Sequence, residues 1–195
     1  MAFFTNILFG KNGGLTHEEL HRMTFRNRFS DYLPYVAYDD ETEVYLNSDH
    51  TAGFLWECTP LVYASPAIHD GLRGLFTAAL PPKTILQFIL YADPYIKPVM
   101  DGYQRLRERD LGVVKEATTS VHDFMSKGAK RGIPNFQGIP VRNFRLFFSL
   151  KLPLEKDLDA DDIRDTVYEI LKGSYLFPEK VTPHDLISFL MRLFC

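Results

Sequence analysis

Hydrophobic residues alternate with polar ones in some stretches of this chain and recur every three to four positions in others. The two periods predict where strands and helices fall. Thr16-His17-Glu18-Glu19 has the spacing of a capping box. It opens a helix with Leu20 and Met23 on one face and Arg22 and Arg26 on another, which must stop before Pro34; residues 1–33 read as an N-terminal helical arm. Tyr35–Tyr38 and Val44–Leu46 flank the polar run Asp39–Glu43, a hairpin pattern. From Ala52 to Thr59 the alternation puts Phe54, Trp56 and Cys58 on one strand face and Leu55, Glu57 and Thr59 on the other. Ser65-Pro66 has the form of an N-cap followed by proline at the first helical position. Ile68, Leu72, Leu75, Phe76 and Ala79 then keep helical spacing up to Pro81-Pro82.

Thr84–Tyr91 is a second strong strand pattern. Pro94 opens a helix carrying Ile96, Met100, Tyr103 and Leu106, and Leu111–Met125 continues with helical spacing. Residues 127–141 break the composition: Gly128, Gly132, Pro134, Gly138 and Pro140 mix with Lys127, Lys130 and Arg131, the signature of an exposed mobile loop. Strand alternation resumes at Arg142–Leu150, with Phe144, Leu146 and Phe148 opposed to Arg145 and Phe147. Asp161-Asp162 open a helix through Ile163, Val167, Ile170 and Leu171 that ends near Gly173. Thr182-Pro183-His184-Asp185 caps another that carries Leu186, Phe189 and Leu190. The sum is a single α+β domain over residues 1–195, a mixed or mainly antiparallel sheet with helices packed on it.

Composition narrows the function classes. With 195 residues, 46% hydrophobic and 14% aromatic, the chain has enough apolar mass for a core. The 22 basic against 25 acidic side chains, a net charge of −3, argue against a dedicated nucleic-acid binder. Cys58 and Cys195 are far apart in sequence and read as incidental thiols of a reducing compartment. The longest apolar stretches fall short of the ~20 residues that span a bilayer. The apolar Met1–Gly10 start lacks the leading positive charge and cleavage site of a signal peptide; it reads as a segment tucked onto the core, with a membrane or partner contact as the alternative.

Candidate chemistry is sparse. A nucleotide-binding loop needs G-x-x-x-x-G-K-[ST] so that backbone amides and a lysine converge on phosphates. Gly10-Lys11 and Lys83-Thr84 both fail that pattern. His69-Asp70, His122-Asp123 and His184-Asp185 imitate the pairs of metal-dependent phosphohydrolases, yet each sits where a helix start or surface accounts for it. Asp157, Asp159 and Asp161 imitate a calcium loop, but Asp162 and Tyr168 occupy positions that need glycine and glutamate. No catalytic, cofactor-binding or metal-binding residue is nominated. The concentrated basic features are Arg22, Arg26 and Arg28 in the first helix and Lys127, Lys130 and Arg131. Each set is a solvated face or a contact for acidic protein or anionic headgroups.

The order of segments resembles a known family. Phe29-Ser30-Asp31-Tyr32-Leu33-Pro34-Tyr35, the Asp39-Asp40 turn, Gly53–Leu61, Leu80-Pro81-Pro82 before Leu86-Gln87-Phe88, and Arg142–Ser149 are similar to the amino-terminal region of TraC, the pilus-assembly ATPase of F-type type IV secretion systems. The likeness runs from about Phe25 to the last helix. It implies an interaction domain at the cytoplasmic face of the bacterial inner membrane. Such a domain docks a motor onto inner-membrane subunits of the secretion channel and onto neighbouring protomers, and the full-length protein self-associates into a ring. ATP and magnesium belong to a carboxy-terminal motor domain outside these 195 residues, so no cofactor and no direct nucleic-acid contact is expected here. A stand-alone phosphohydrolase built on a His-Asp pair and a nucleic-acid accessory domain built on Lys127–Arg131 are the alternatives.

Overall fold

A computed structural model describes residues 33–107, 112–154 and 159–194. The predicted arm over residues 1–33, with its helix from Thr16, lies outside them apart from Leu33. Strands β1 (Tyr35–Asp39), β2 (Val44–Asn47) and β3 (Thr51–Cys58) are followed by helix α1 (Pro66–Thr77) and β4 (Ile85–Asp93). Helices α2 (Lys97–Arg105) and α3 (Gly112–Arg131) lead through a 3-10 turn at Pro134–Phe136 into β5 (Asn143–Pro153). Helix α4 (Ala160–Gly173), the short β6 (Glu179–Lys180) and helix α5 (Pro183–Phe194) complete the described chain. The fold is α+β: a six-stranded sheet in the order β1-β2-β3-β5-β4, every pairing antiparallel, with β6 against β3.

The centre of the sheet is the β3–β5 ladder, which runs in unbroken register from Thr51 opposite Pro153 to Cys58 opposite Leu146. Alternation gives each strand two working faces. On one, Phe54, Trp56 and Cys58 meet Phe148, Leu150 and Leu152, all at most 3% exposed. Helices α1 and α4 cover this face through Leu75, Val167 and Leu171. On the other, Phe147 packs with Tyr45, Val181 and Leu186, and half-buried Leu55, Phe189 and Leu190 close over them. Helix α5 thus lies on the face opposite α1 and α4. A third cluster, Ile96, Met100 and Ala129, joins α2 to α3.

Local chemistry explains the element ends. The Ser65 hydroxyl accepts the Ile68 N–H at 3.3 Å and starts α1. Asp159 accepts the N–H groups of Asp161 and Asp162, both at 3.1 Å, at the start of α4. At α5, Asp185 N–H donates to the Thr182 hydroxyl at 3.3 Å, while that hydroxyl and the Thr182 N–H donate to the Asp185 carboxylate at 2.6 and 3.1 Å. This is a reciprocal capping box with aspartate in the usual glutamate position. Gly71 lets α1 approach α4, since a Cβ there would stand 2.6 Å from the Ser174 hydroxyl.

One sequence expectation is corrected. Lys127, Lys130 and Arg131 belong not to a mobile loop but to the end of α3, which runs on to Arg131. Gly128 looked like a loop residue because glycine disfavours helices; it is buried because a Cβ would press within 3.0 Å of Ile133 and Val141. The helix ends at Gly132, whose φ of +75° suits glycine and whose N–H bonds the Gly128 carbonyl. Beyond it the chain forms a closed turn, with Ile133 N–H on Ile139 O at 3.1 Å and Val141 N–H on Gly128 O at 3.2 Å. Phe76 in α1 and Leu106 just after α2, for all their helical spacing, are 83% and 85% exposed.

Two outcomes follow from this packing. Phe148→Ala removes a fully buried ring between Trp56 and Phe88, at 5.9 and 4.6 Å between centroids, and should cost about 3–5 kcal/mol in chemical denaturation. The Thr182 hydroxyl and amide hold the Asp185 carboxyl below its usual range. A depressed folded-state value stabilises the protein above the unfolded-state value, and that stability is lost as pH falls through the folded one. Asp185→Ala should therefore cost about 1 kcal/mol at neutral pH, a deficit that shrinks as the solution is acidified through the carboxylate range in urea melts.

Candidate docking surface

The His-Asp pairs do not assemble into a site. His69 and His122 each face only their sequence neighbour, at 3.4 and 3.5 Å, and Asp185 is occupied in the α5 cap. Among the described residues no group of three His, Cys, Asp or Glu side chains is placed to hold a metal ion. Asp159 and Asp161 serve the start of α4, and Asp157 lies outside the described residues. Cys58 is buried in the core, where desolvation, with Glu57 beside it, pushes its thiol up to about 12. Such a thiol is packing rather than a nucleophile.

Of the two basic sets, Arg22, Arg26 and Arg28 lie outside the described residues. Lys127, Lys130 and Arg131 stand exposed on the last turns of α3 at i, i+3 and i+4, one face of the helix. Cations here complement the negative end of the helix dipole. Arg142 adds a fourth, donating to the carbonyls of Ala129 and Val141, both at 2.9 Å. Among the described residues Lys127, Lys130 and Arg131 make no ion pair, so their charge faces solvent.

A second arrangement went unnoticed in the sequence. On the α5 face, Arg145 grips Glu57 with two parallel bonds of 2.6 Å, Nε to one carboxylate oxygen and Nη2 to the other. Its remaining nitrogen, Nη1, is buried 3.7 Å from Asp93 Oδ2, an ion pair too long for a hydrogen bond. Asp93 is 1% exposed and accepts the Tyr95 N–H at 2.9 Å around Pro94. Arg192 of α5 stands 4.0 Å from the same carboxylate, and Phe189 lies 5.5 Å from the Arg145 guanidinium. The cluster clamps α5 to the ends of β3, β4 and β5. Its signal was present in the register, since Glu57, Arg145 and Asp93 fall at positions of one face, but it required the strand order.

The core face of the sheet is not covered throughout. Where β4 and β5 extend past α1, an apolar groove of about 510 Å³ lies between Leu61, Leu72, Phe88, Leu90, Phe144 and Leu146. Phe88, Leu90 and Phe144 are 45%, 62% and 56% exposed along it. A larger cleft of about 660 Å³ beside the β1–β2 tip is walled by charged residues, among them the pairs Lys180 with Glu43 at 3.0 Å and Arg164 with Asp165 at 2.9 Å.

These features define a small α+β domain that leaves an apolar groove and a basic helix end open to solvent. A family model described as TraC protein matches residues 29–195, and the chain belongs to that family, a domain of F-type type IV secretion. No curated protein and no solved structure matches the chain. Family membership places it in type IV secretion or conjugation. No described helix is long and apolar enough to cross a membrane.

The clamp makes a direct prediction. Arg145→Met removes the bidentate partner of Glu57 and leaves buried Asp93 with only the longer 4.0 Å pair to Arg192, and should cost about 3–5 kcal/mol, whereas Arg145→Met combined with Asp93→Asn should recover part of that loss in the same denaturation assay.

Proposed function

We propose that this chain is the non-catalytic amino-terminal domain of a type IV secretion ATPase that serves pilus assembly and conjugative DNA transfer. It docks the motor onto inner-membrane channel subunits and neighbouring protomers at the cytoplasmic face of the membrane. ATP and magnesium bind in the motor domain, and the ring forms through the full-length protein. The observation that carries this reading is the family match over residues 29–195. The geometry supports it, because the exposed features are surfaces for contact: the α3 basic end and the β4–β5 groove.

The basic end suits acidic protein segments or anionic headgroups, which also gives the domain a route to peripheral membrane association. The His-Asp phosphohydrolase reading draws no support from pairs that face only each other or a helix cap. Three exposed cations on a net-acidic chain give a nucleic-acid reading little to stand on.

Capture of channel subunits from detergent-solubilised inner membranes tests the proposal. The unmodified chain should retain them. The triple variant Lys127→Glu, Lys130→Glu, Arg131→Glu should lose most of that capture, and unchanged capture would remove this cluster from the contact. The parallel variant Arg22→Glu, Arg26→Glu, Arg28→Glu reads the first basic set in the same way. Failure of the unmodified chain to retain any channel subunit would count against the docking role.

A further inference from the structure

At the end of the sheet where β3 and β4 finish and β5 begins, the loops carry large apolar side chains that the core does not use. The Thr59 N–H donates to the Leu176 carbonyl at 2.6 Å and ties the β3–α1 loop to the loop after α4. Val62 and Tyr63 on the first loop are 103% and 76% exposed, and Tyr175 and Phe177 on the second are 59% and 57%. Val62 and Leu176 also line the apolar groove, together with Phe144 at the start of β5. Backbone geometry sets the second loop apart. Tyr175 and Phe177 have φ of +60° and +43°, in the left-handed region that bulky residues rarely adopt. Tyr175 N–H bonds Lys172 O at 3.0 Å and Leu176 N–H bonds Leu171 O at 3.1 Å, which puts Tyr175 at the helix-ending position where glycine is the ordinary choice. Exposed rings held on strained backbone point to a contact rather than to packing.

We propose that this end of the domain seats on an anionic bilayer surface, with Val62, Tyr63, Tyr175 and Phe177 entering the headgroup region and Lys127, Lys130 and Arg131 meeting the acidic headgroups. Charge selects this occupant. Arg142, two residues before Phe144, donates to the Ala129 carbonyl at 2.9 Å and so fastens the basic end of α3 to the start of β5. Exposed rings and aliphatic side chains beside cations are the combination that a bilayer interface with acidic headgroups accepts. Of the nearby carboxylates, Asp93 is buried, Glu57 is gripped by Arg145, and Glu179 lines the cleft beside the β1–β2 tip. The acidic tip itself is set back. Arg164 donates to the Thr42 carbonyl at 2.9 Å, and from Arg164 to Gly173 helix α4 runs on for roughly 14 Å before the aromatic loop begins. The inference rests on the membrane side of the docking role proposed above, and it names the surface and the lipid chemistry.

Flotation of the 195-residue chain with lipid vesicles tests it. The chain should rise with vesicles of phosphatidylglycerol and phosphatidylcholine, stay behind with phosphatidylcholine alone, and detach as salt is raised. Tyr175→Gly combined with Phe177→Gly removes both rings where the backbone favours glycine. The melting temperature of that variant should hold or rise, while its affinity for the anionic vesicles falls about tenfold or more. The triple variant Lys127→Glu, Lys130→Glu, Arg131→Glu should lose the preference for anionic vesicles. If a variant fails to fold, protection of the amides of residues 61–65 and 174–177 by anionic vesicles in the unmodified chain decides alone. Absence of flotation with the anionic vesicles, equal flotation with both compositions, or an affinity indifferent to the two glycine substitutions would overturn the lipid contact. So would loss of channel-subunit capture in the glycine variant when the unmodified chain ignores vesicles, a result that gives this surface to a protein. Capture of channel subunits from detergent by a chain that floats with neither vesicle would sink the lipid contact and leave the docking role standing.

Discussion

Strand β5 must satisfy two hydrophobic faces at once, and that demand organises the molecule. Its even positions, Phe148, Leu150 and Leu152, lie under α1 and α4, while Phe147 lies under α5. β5 occupies an interior place between β3 and β4, where its backbone is paired on both sides as well as covered on both faces. Its partner β3 is equally committed, with alternate residues buried from Ala52 to Cys58. A slip of β3 by one residue against β5 would turn Trp56 towards α5 and bring Glu57 into the apolar core, and a slip of β5 would do the same to Phe148 and Arg145. The Arg145–Glu57 grip and the unbroken eight-pair ladder specify the same register independently.

Because α5 rests on the polar-ended side of this sheet, its attachment differs from that of α1 and α4. Those two helices bury aliphatic side chains against aromatic ones, a fit tolerant of small shifts. Helix α5 combines Leu186 and Phe189 with the charged group formed by Asp93, Arg145 and Arg192, whose energies depend steeply on placement. The Tyr45 hydroxyl donates to the Val181 carbonyl at 2.7 Å just before α5 and fixes the approach of the helix from the hairpin side. Burial holds the Tyr45 hydroxyl protonated well beyond the ordinary tyrosine range, so this bond persists across physiological pH.

Much of the fold could be read from the sequence because its strongest signals are local. The Ser65-Pro66 and Thr182–Asp185 caps, the Tyr35–Leu46 hairpin and the alternation of Phe54, Trp56 and Cys58 each depend on residues close in sequence. What escaped depends on tertiary neighbours. Gly128 marks close packing against Ile133 and Val141, which a one-dimensional pattern reads as a break. Helical spacing alone did not tell that Phe76 and Leu106 are exposed while Leu75 and Met100 beside them are buried. The Glu57–Arg145–Asp93 cluster spans three strands and exists only once the strand order is known. The surface was legible as charge clusters, Lys127, Lys130 and Arg131 among them, but not as the groove beside Leu90.

Under the docking role proposed above, an excess of this chain should interfere with the secretion machine to which its family belongs. The most direct measurement is conjugative transfer from donor cells that carry an intact secretion system and also produce this 195-residue chain at increasing levels. Occupied docking sites predict transfer that falls as the chain accumulates, with cell growth unchanged. Transfer that holds steady when the folded chain far outnumbers the native ATPase would contradict the account.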